Sequence, residues 1–427
     1  MGTNEPDFPL DPDLDFTVTL GGGRGPAGHP TRDDIRLLSP DFYANFDELT
    51  TWMRSEAPLY WDDATGIWGA ASHELVSMMS REWHTFCSGQ GSRPESSVPS
   101  MINFDAPEHT KRRRLVGNGF TPRRVADHEP FLRNKVNELI DSVIDKGSCD
   151  FVADIATPLP MLMIGELMGL PESDYEQLLH WSDLFATGGE EIRAEVEHAV
   201  FAWNEYIMAK VNERRGGDGD DLVSLITNAD GDDLVSLITN AEWEGERLSD
   251  LDIMFETMLV LVGGDETTRH VISSGIAALL QNPDQLEMLK NDLSLLPSAI
   301  EEMLRWATPV RNMNRTATQD IEVQGFTIHK GDRILLLYPS ANRDEKVFAD
   351  PYTFDITRTP NDHVAFGAYG RHHCLGAPLA RLELRVLFEE ILRRFDNLKL
   401  SKDGPLPWRR GNFVLGLNEV PVTFTAK

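Results

Sequence analysis

Cysteine is scarce in this chain. Cys87, Cys149 and Cys374 are the only three among 427 residues, and their spacing shows no pairing. That excludes a disulfide framework and a cysteine-built zinc site, and it fits a reducing cytoplasm. Positive charge is also in short supply. The 40 lysines and arginines face 69 aspartates and glutamates, a net charge of −29, so nucleic acid is not a partner of the molecule as a whole. No run of about 20 apolar residues occurs, so no membrane span is expected. The segment 1–20 lacks the basic and apolar regions of a secretory leader and reads as a flexible tail, leaving 21–427 as one domain. What is there is ordinary for a soluble globular protein, 41% hydrophobic and 26% charged. A chain of this length buries roughly three quarters of its unfolded surface and can enclose a large ligand.

Helical periodicity dominates. Helices are expected at 39–53, 107–117, 123–146, 161–168, 172–186, 190–215, 251–281, 297–307 and 377–395. The strand content is small: a hairpin at 59–68 and strands at 321–328, 333–337 and 413–424. The stretch 86–103, with Gly89, Gly91, Pro94 and Pro99, reads as loop. Residues 218–229 (DGDDLVSLITNA) recur identically at 230–241, too short a repeat for a solenoid, and read as a neutral duplication in a connection. The segment 251–281 stands apart. Ser249 is its N-cap candidate, Asn282-Pro283 stops it, and apolar residues surround it on most sides, which places it in the middle of the protein.

That helix carries Gly263-Gly264-Asp265-Glu266-Thr267-Thr268. Each glycine in a buried helix costs about 1 kcal/mol against alanine, and close approach of a ligand is one reason to keep it. Gly263 and Thr267 share a face. A buried Glu266 needs a partner or a task. Two readings stay open: the acid and alcohol deliver protons to bound dioxygen, or Thr267 bonds the Gly263 carbonyl while Glu266 pairs with Arg269. Glu302 and Arg305, three apart, read as a surface ion pair, or with Arg358 as a network anchoring the chain before Cys374. Then comes Phe366-Gly-Ala-Tyr-Gly-Arg-His-His-Cys374-Leu-Gly376, a glycine-bearing loop that enters a helix-forming run. Free N–H groups and the positive dipole end of a helix start stabilise a thiolate. A thiolate so held is a known axial ligand of haem iron. His109 and Arg113, one helical turn apart, together with Arg315 and His363 are candidate donors to anionic groups. Lys111, Arg112, Arg114, Arg123, Arg124, Arg371 and Arg381 form a basic island, either a solvated face or a docking site for an acidic electron donor.

In this order, the acid–alcohol helix, the Glu-x-x-Arg pair, the cysteine loop and the final strands resemble the cytochrome P-450 family of haem-thiolate monooxygenases, from about Ile35 to Phe424. The stretches 255–270 (FETMLVLVGGDETTRH), 299–306 (AIEEMLRW) and 412–417 (NFVLGL) are similar to soluble actinobacterial members that oxidise the steroid side chain. The resemblance implies a mainly α fold with a minor β portion, a single haem-enclosing domain, and haem b as cofactor. It implies Cys374 as the iron ligand, Glu266 and Thr267 as the proton-delivery pair, and Glu302, Arg305 and Arg358 as a structural network. His109, Arg113, Arg315 and His363 would hold the propionates, with Gly263, Phe366 and Gly376 also at the haem. Electrons would come from a ferredoxin and its reductase. The loop departs from the family in placing Phe366 eight rather than seven residues before Cys374, which leaves open whether Phe366 or Tyr369 packs near the sulfur.

A pocket wall is expected from Met101, Ile102, Trp181, Phe185, Val260, Gly264, Val310, Met313 and Val414, though each taken singly reads more readily as ordinary core. Their apolar character suits a hydrophobic substrate. By similarity that substrate is a sterol such as cholesterol or cholest-4-en-3-one, hydroxylated at the terminal side-chain carbon with O2 and two electrons. Alternatives are a macrolide, terpenoid or fatty acid substrate, a peroxide-driven peroxygenase, or a haem-bearing sensor or carrier. The Glu266–Thr267 pair argues against the last two classes. Peroxide already brings both oxygens and their protons, and a carrier needs no proton route.

Overall fold

The computed structural model describes residues 25–94, 97–187, 193–215, 234–240, 242–243 and 246–427. Its principal helices are α1 (Phe46–Glu56), α2 (His73–Arg81), α3 (Glu108–Gly117), α4 (Glu129–Ile144), α5 (Pro158–Met168), α6 (Tyr175–Thr187), α7 (Arg193–Arg215), α8 (Asp250–Gln281), α9 (Leu296–Ala307) and α10 (Ala377–Arg394). The principal strands are β1 (Leu59–Asp62), β2 (Ile67–Ala70), β3 (Phe86–Cys87), β4 (Ser148–Asp150), β5 (Asn312–Ala317), β6 (Ile321–Val323), β7 (Phe326–Ile328), β8 (Arg333–Leu337), β9 (Phe395–Leu400) and β10 (Pro421–Ala426).

The apolar helix α8 is the axis of the molecule. A capping box starts it: the Ser249 hydroxyl accepts the Asp252 N–H, and the Asp252 side chain accepts the Ser249 N–H. From there α8 packs on α5, α6, α7 and α9. Glycine sets how closely it does so. A Cβ at Gly264 would lie 2.6 Å from Ile164 Cδ1 on α5, and one at Gly275 would lie 2.9 Å from Met303 Sδ on α9. The strands form a five-stranded sheet in the order β1-β2-β8-β5-β3, in which β8 runs parallel to β2 and antiparallel to β5. A second, three-stranded sheet has the order β9-β10-β4. The result is one domain, mainly helical, as the resemblance implied.

Several boundaries fall elsewhere than the periodicity places them. The helix expected at 39–53 breaks at Asn45 into Pro40–Ala44 and α1. The one expected at 123–146 becomes Pro122–Asp127 and α4, because Pro130 has no N–H to give and suits only a first turn. The stretch 86–103 is not all loop: β3 pairs with β5, and Met101–Asn103 forms a 3-10 turn. The strand at 321–328 is a hairpin whose turn residues Gln324 and Gly325 both have positive φ, 51° and 83°. Of the strand expected at 413–424, only Pro421–Ala426 is regular, while Val414 makes an isolated bridge to Val310. The tail and the first copy of the repeat lie outside the described residues; Leu234–Asn240 of the second copy is helical. Among the described residues no helix is long and apolar enough to cross a membrane.

Candidate active site

Cys374 ends a tight loop and stands directly before α10. Its N–H donates to the Phe366 carbonyl (2.8 Å), the Gly367 N–H to Val364 (2.9 Å) and the His373 N–H to Gly370 (3.0 Å). Two glycines permit this path. Gly367 has φ 80°, and a Cβ at Gly370 would sit 2.0 Å from the Ser80 carbonyl oxygen of α2. The Cys374 side chain reaches the surface of the protein, yet the shell of atoms around it is dense enough for burial to raise its pKa. The N–H groups of Gly376 and Ala377 and the guanidinium groups of Arg113 and Arg381 act against that burial. These are the features that favour a thiolate. Tyr369 is 68% exposed and stacks on His373 (5.1 Å, 15°). Phe366 instead lies half-buried beneath Arg381, 4.7 Å from its guanidinium carbon, and is the aromatic on the inner side of the loop.

Helix α3 and strand β5 bring a group of cations to the same place. The His109 and His372 rings are 4.2 Å apart, and Arg113, Arg315 and Arg371 face both. Burial and then these cations push His109 down to about 4 and His372 down to about 2, so both are neutral at physiological pH. Arg113 donates to the His373 carbonyl. His109 Nδ1 is buried with no hydrogen bond. Asp105, the acid facing His109, already accepts the N–H groups of Ser88 (2.9 Å) and Gly89 (2.8 Å). Buried donors without an anion of their own suit a ligand that brings carboxylates. Sequence reasoning missed His372. The available signal was its place two residues before Cys374, in a loop otherwise read for its glycines.

His363 does not join this group. Its Nε2 meets Glu301 (3.0 Å) and its Nδ1 accepts the Ala365 N–H (3.3 Å). Glu301 also takes both arms of Arg381 (2.6 and 2.8 Å), and although burial alone would raise its pKa, Arg381 and His363 hold it down to about 2. A carboxylate within reach claims the imidazole. The expected basic island is likewise broken up: Arg112 turns inward to Glu108, Asp252 and Glu256, and Arg371 lies over the Trp83 ring (3.7 Å).

Glu302, Arg305 and Arg358 are brought together, inside rather than at the surface. Glu302 and Arg305 are fully buried and doubly bonded (2.7 Å each), and Arg358 Nε reaches Glu302 at 3.2 Å. Arg305 then donates to the carbonyls of Asn342, Pro351 and Thr353, and Arg358 to those of Ala349, Asp350 and Thr353. Asn361 Nδ2 closes on Glu302 (3.1 Å), two residues before His363. The network thus fixes the chain that leads to the cysteine loop.

On α8, Leu259, Val262, Gly263 and Thr267 stay accessible although the helix is otherwise mostly buried. Their spacing puts them on one face. A Cβ at Gly263 would meet nothing within 4 Å. Two pocket expectations shift accordingly. Val260 is a core residue, 7% exposed, and Gly264 faces Ile164, so the open face of the helix is presented by Leu259 and Val262 instead. Of the other expected wall residues, Ile102, Phe185, Val310 and Met313 are half-buried, while Met101 and Val414 are buried. Trp181 packs on Trp203 and Tyr206 and lines a separate cleft between α6 and α7. A haem suits what is assembled: a thiol at a helix start, buried donors with an orphaned imidazole nitrogen, and a helix face relieved of a side chain at Gly263.

Residues 123–426 match the family model described as Cytochrome P450. The chain is a member of the cytochrome P450 family. It is 43% identical over 406 residues to a steroid C26-monooxygenase of Mycolicibacterium smegmatis, covering 92% of this chain and 97% of the relative. It is 35% identical over 421 residues to a methyl-branched lipid omega-hydroxylase of Mycobacterium tuberculosis, covering 92% and 95%. A Mycobacterium marinum cytochrome P450 solved with pseudoionone superposes with a TM-score of 0.82 at 32% identity, covering 93% of this chain and all of that one. As a cytochrome P450 the protein is a monooxygenase, and the family implies a haem, redox partners and hydrophobic substrates.

In this cytochrome P450 the acid–alcohol pair makes the contacts of the second reading. Thr267 Oγ1 donates to the Gly263 carbonyl (2.8 Å). Glu266 is fully buried and held from two sides, by Arg269 at 2.6 Å and by Arg409 at 2.8 Å, and Arg269 also reaches Asp183 of α6 (3.2 Å). Burial raises the pKa of Glu266 and of its neighbour Asp265 against the nearby arginines. Arg409, from the chain after β9, is a partner that no sequence signal marked.

Proposed function

We propose that this monooxygenase hydroxylates the terminal side-chain carbon of a sterol such as cholest-4-en-3-one, using haem b, dioxygen and electrons from a ferredoxin system in the cytoplasm. The observation that carries the reading is the 43% identity to a steroid C26-monooxygenase along 92% of the chain. The lipid relative hydroxylates, by its name, an omega position, so both relatives point to the end of a branched chain.

When bound, the haem supplies dioxygen activation and C–H hydroxylation. The chain's own residues do the rest. Cys374 would ligate the iron as a thiolate, favoured by the start of α10, Arg113 and Arg381. His109, Arg113, Arg315 and His372 would take the propionates. Leu259 and Val262 present an apolar wall that orients the substrate tail and excludes water. Thr267 holds its hydroxyl beside the notch at Gly263, within reach of whatever binds there. Glu266, with burial raising its pKa toward a neutral, proton-bearing form, supplies protons on the inner side of that face when an arginine releases it.

The test is a spectral titration of the ferric protein with cholest-4-en-3-one, a fatty acid and a macrolide. A low- to high-spin shift confined to the steroid is expected, followed by one hydroxylated product with a ferredoxin and its reductase. No shift at saturating steroid overturns the substrate choice. A carbon monoxide complex without the red-shifted thiolate band overturns the iron ligand.

A further inference from the structure

Glu256 is among the buried carboxylates of α8 to which the chemistry above gives no task. Glu256 is fully buried. Its Oε1 accepts the Met101 N–H (2.7 Å) and lies 3.2 Å from Arg112 Nη1, while its Oε2 is buried with no hydrogen bond. Arg112 has two nearer acids, Glu108 at 2.7 Å and Asp252 at 2.6 Å, and lies over the Phe104 ring. Neutralising Arg112 therefore does not require Glu256. A leucine at 256 would avoid burying a charge, and burial does push Glu256 up to about 7. What only an acceptor here can do is hold the Met101 backbone.

That backbone opens the turn Met101–Asn103, whose other end is tied to the sheet. Asn103 Oδ1 accepts the Ser92 N–H (2.6 Å), and the Ser92 carbonyl accepts the Asn314 N–H of β5 (2.6 Å). The turn therefore spans from β5, which carries Met313 and Arg315, to α8, where Leu259 follows Glu256 by one helical turn.

We propose that Glu256 is a positioning residue for substrate specificity: by fastening the Met101–Asn103 turn to α8 it fixes where Ile102 stands relative to Leu259, and so which hydrophobic shape the site admits. The proposal rests on the monooxygenase reading of this site and adds a determinant to it.

The experiment uses the full-length haem-loaded protein and two pairs of variants. Glu256→Leu removes the acceptor and Glu256→Gln keeps one. Met101→Pro removes the donor and Met101→Ala keeps it. Proline is tolerated at the first position of a helical turn, and Ser100 already has the extended backbone (φ −125°, ψ 166°) that must precede it. The probe is cholest-4-en-3-one, or whichever of the three titrated compounds shifts the parent spectrum; failure of the substrate reading then shows in the parent, and failure of this proposal in the variants alone. The expected result is weaker probe binding by roughly tenfold in Glu256→Leu relative to Glu256→Gln, and in Met101→Pro relative to Met101→Ala. Imidazole binding to the iron and the carbon monoxide band stay unchanged throughout. Equal probe affinity within either pair, or equal losses of probe and imidazole binding, overturns the proposal. If Glu256→Leu does not accumulate, the methionine pair decides alone.

Discussion

The two sides of the site differ in how fully their polar groups are paired. Behind the cysteine loop, Glu302, Arg305 and Arg358 satisfy one another and a row of carbonyls, with Asn361 Nδ2 joining them though its Oδ1 stays unpaired, and Glu301 does the same for Arg381 and His363. Along the middle of α8 the pattern reverses. Both carboxylate oxygens of Asp265, both ring nitrogens of His270 and Arg269 Nε are buried without hydrogen bonds, beside a Glu266 held by two arginines. A densely paired network holds the chain before the cysteine loop in place. Unpaired buried groups are costly, and a cluster of them on one helix calls for a reason other than stability. The cysteine-loop side is the more densely paired, and the α8 side is where the proposed proton route lies.

Replacing Cys374 should have the largest effect. Cys374→Ala is expected to abolish the thiolate carbon monoxide band and all turnover while circular dichroism stays helical; a retained band would sink the assignment. Next, Glu302→Gln strands two buried guanidinium groups and should cost about 3–5 kcal/mol, seen as a lowered urea midpoint and poor haem retention. The contrasting change on the other side, Glu266→Gln, should leave the haem spectrum intact but lower kcat by roughly a hundredfold. If the stability losses of the two variants were equal and kcat fell in neither, the contrast between the sides would be wrong.

A smaller effect concerns pH. The folded-state pKa of Glu301, about 2, lies below its ordinary value of 4.5. The stability it contributes is therefore present above pH 4.5 and disappears as pH falls toward 2. Urea midpoints measured from pH 5 downward should fall less steeply in Glu301→Gln than in the parent. The smallest effect separates the two loop aromatics. Phe366→Ala should shift the Soret band or the reduction potential, and Tyr369→Ala should move neither, because Tyr369 faces solvent.

Much of the frame was legible because it depends on local chemistry. The extent of α8 followed from its apolar run between Ser249 and Pro283, and the bend before Cys374 from its glycines. Helix breaks at Asn45 and before Pro130 were not, since the apolar period runs through both. Among site residues, Thr267 beside Gly263 was readable from a spacing of four. His372 over His109, the capture of His363 by Glu301, and the hold of Arg409 on Glu266 were not, because each joins residues far apart in the chain.

The order of residues settled the secondary structure of the core, the one cysteine placed at a helix start, and the family to which these belong. Periodicity and backbone conformation act over a few residues, so they are written locally. Which carboxylate meets a cation from another segment, and which face of α8 remains open, were decided only when distant segments packed. A charge takes its partner from whatever lies within a few ångströms, and that neighbourhood does not exist until the chain has folded.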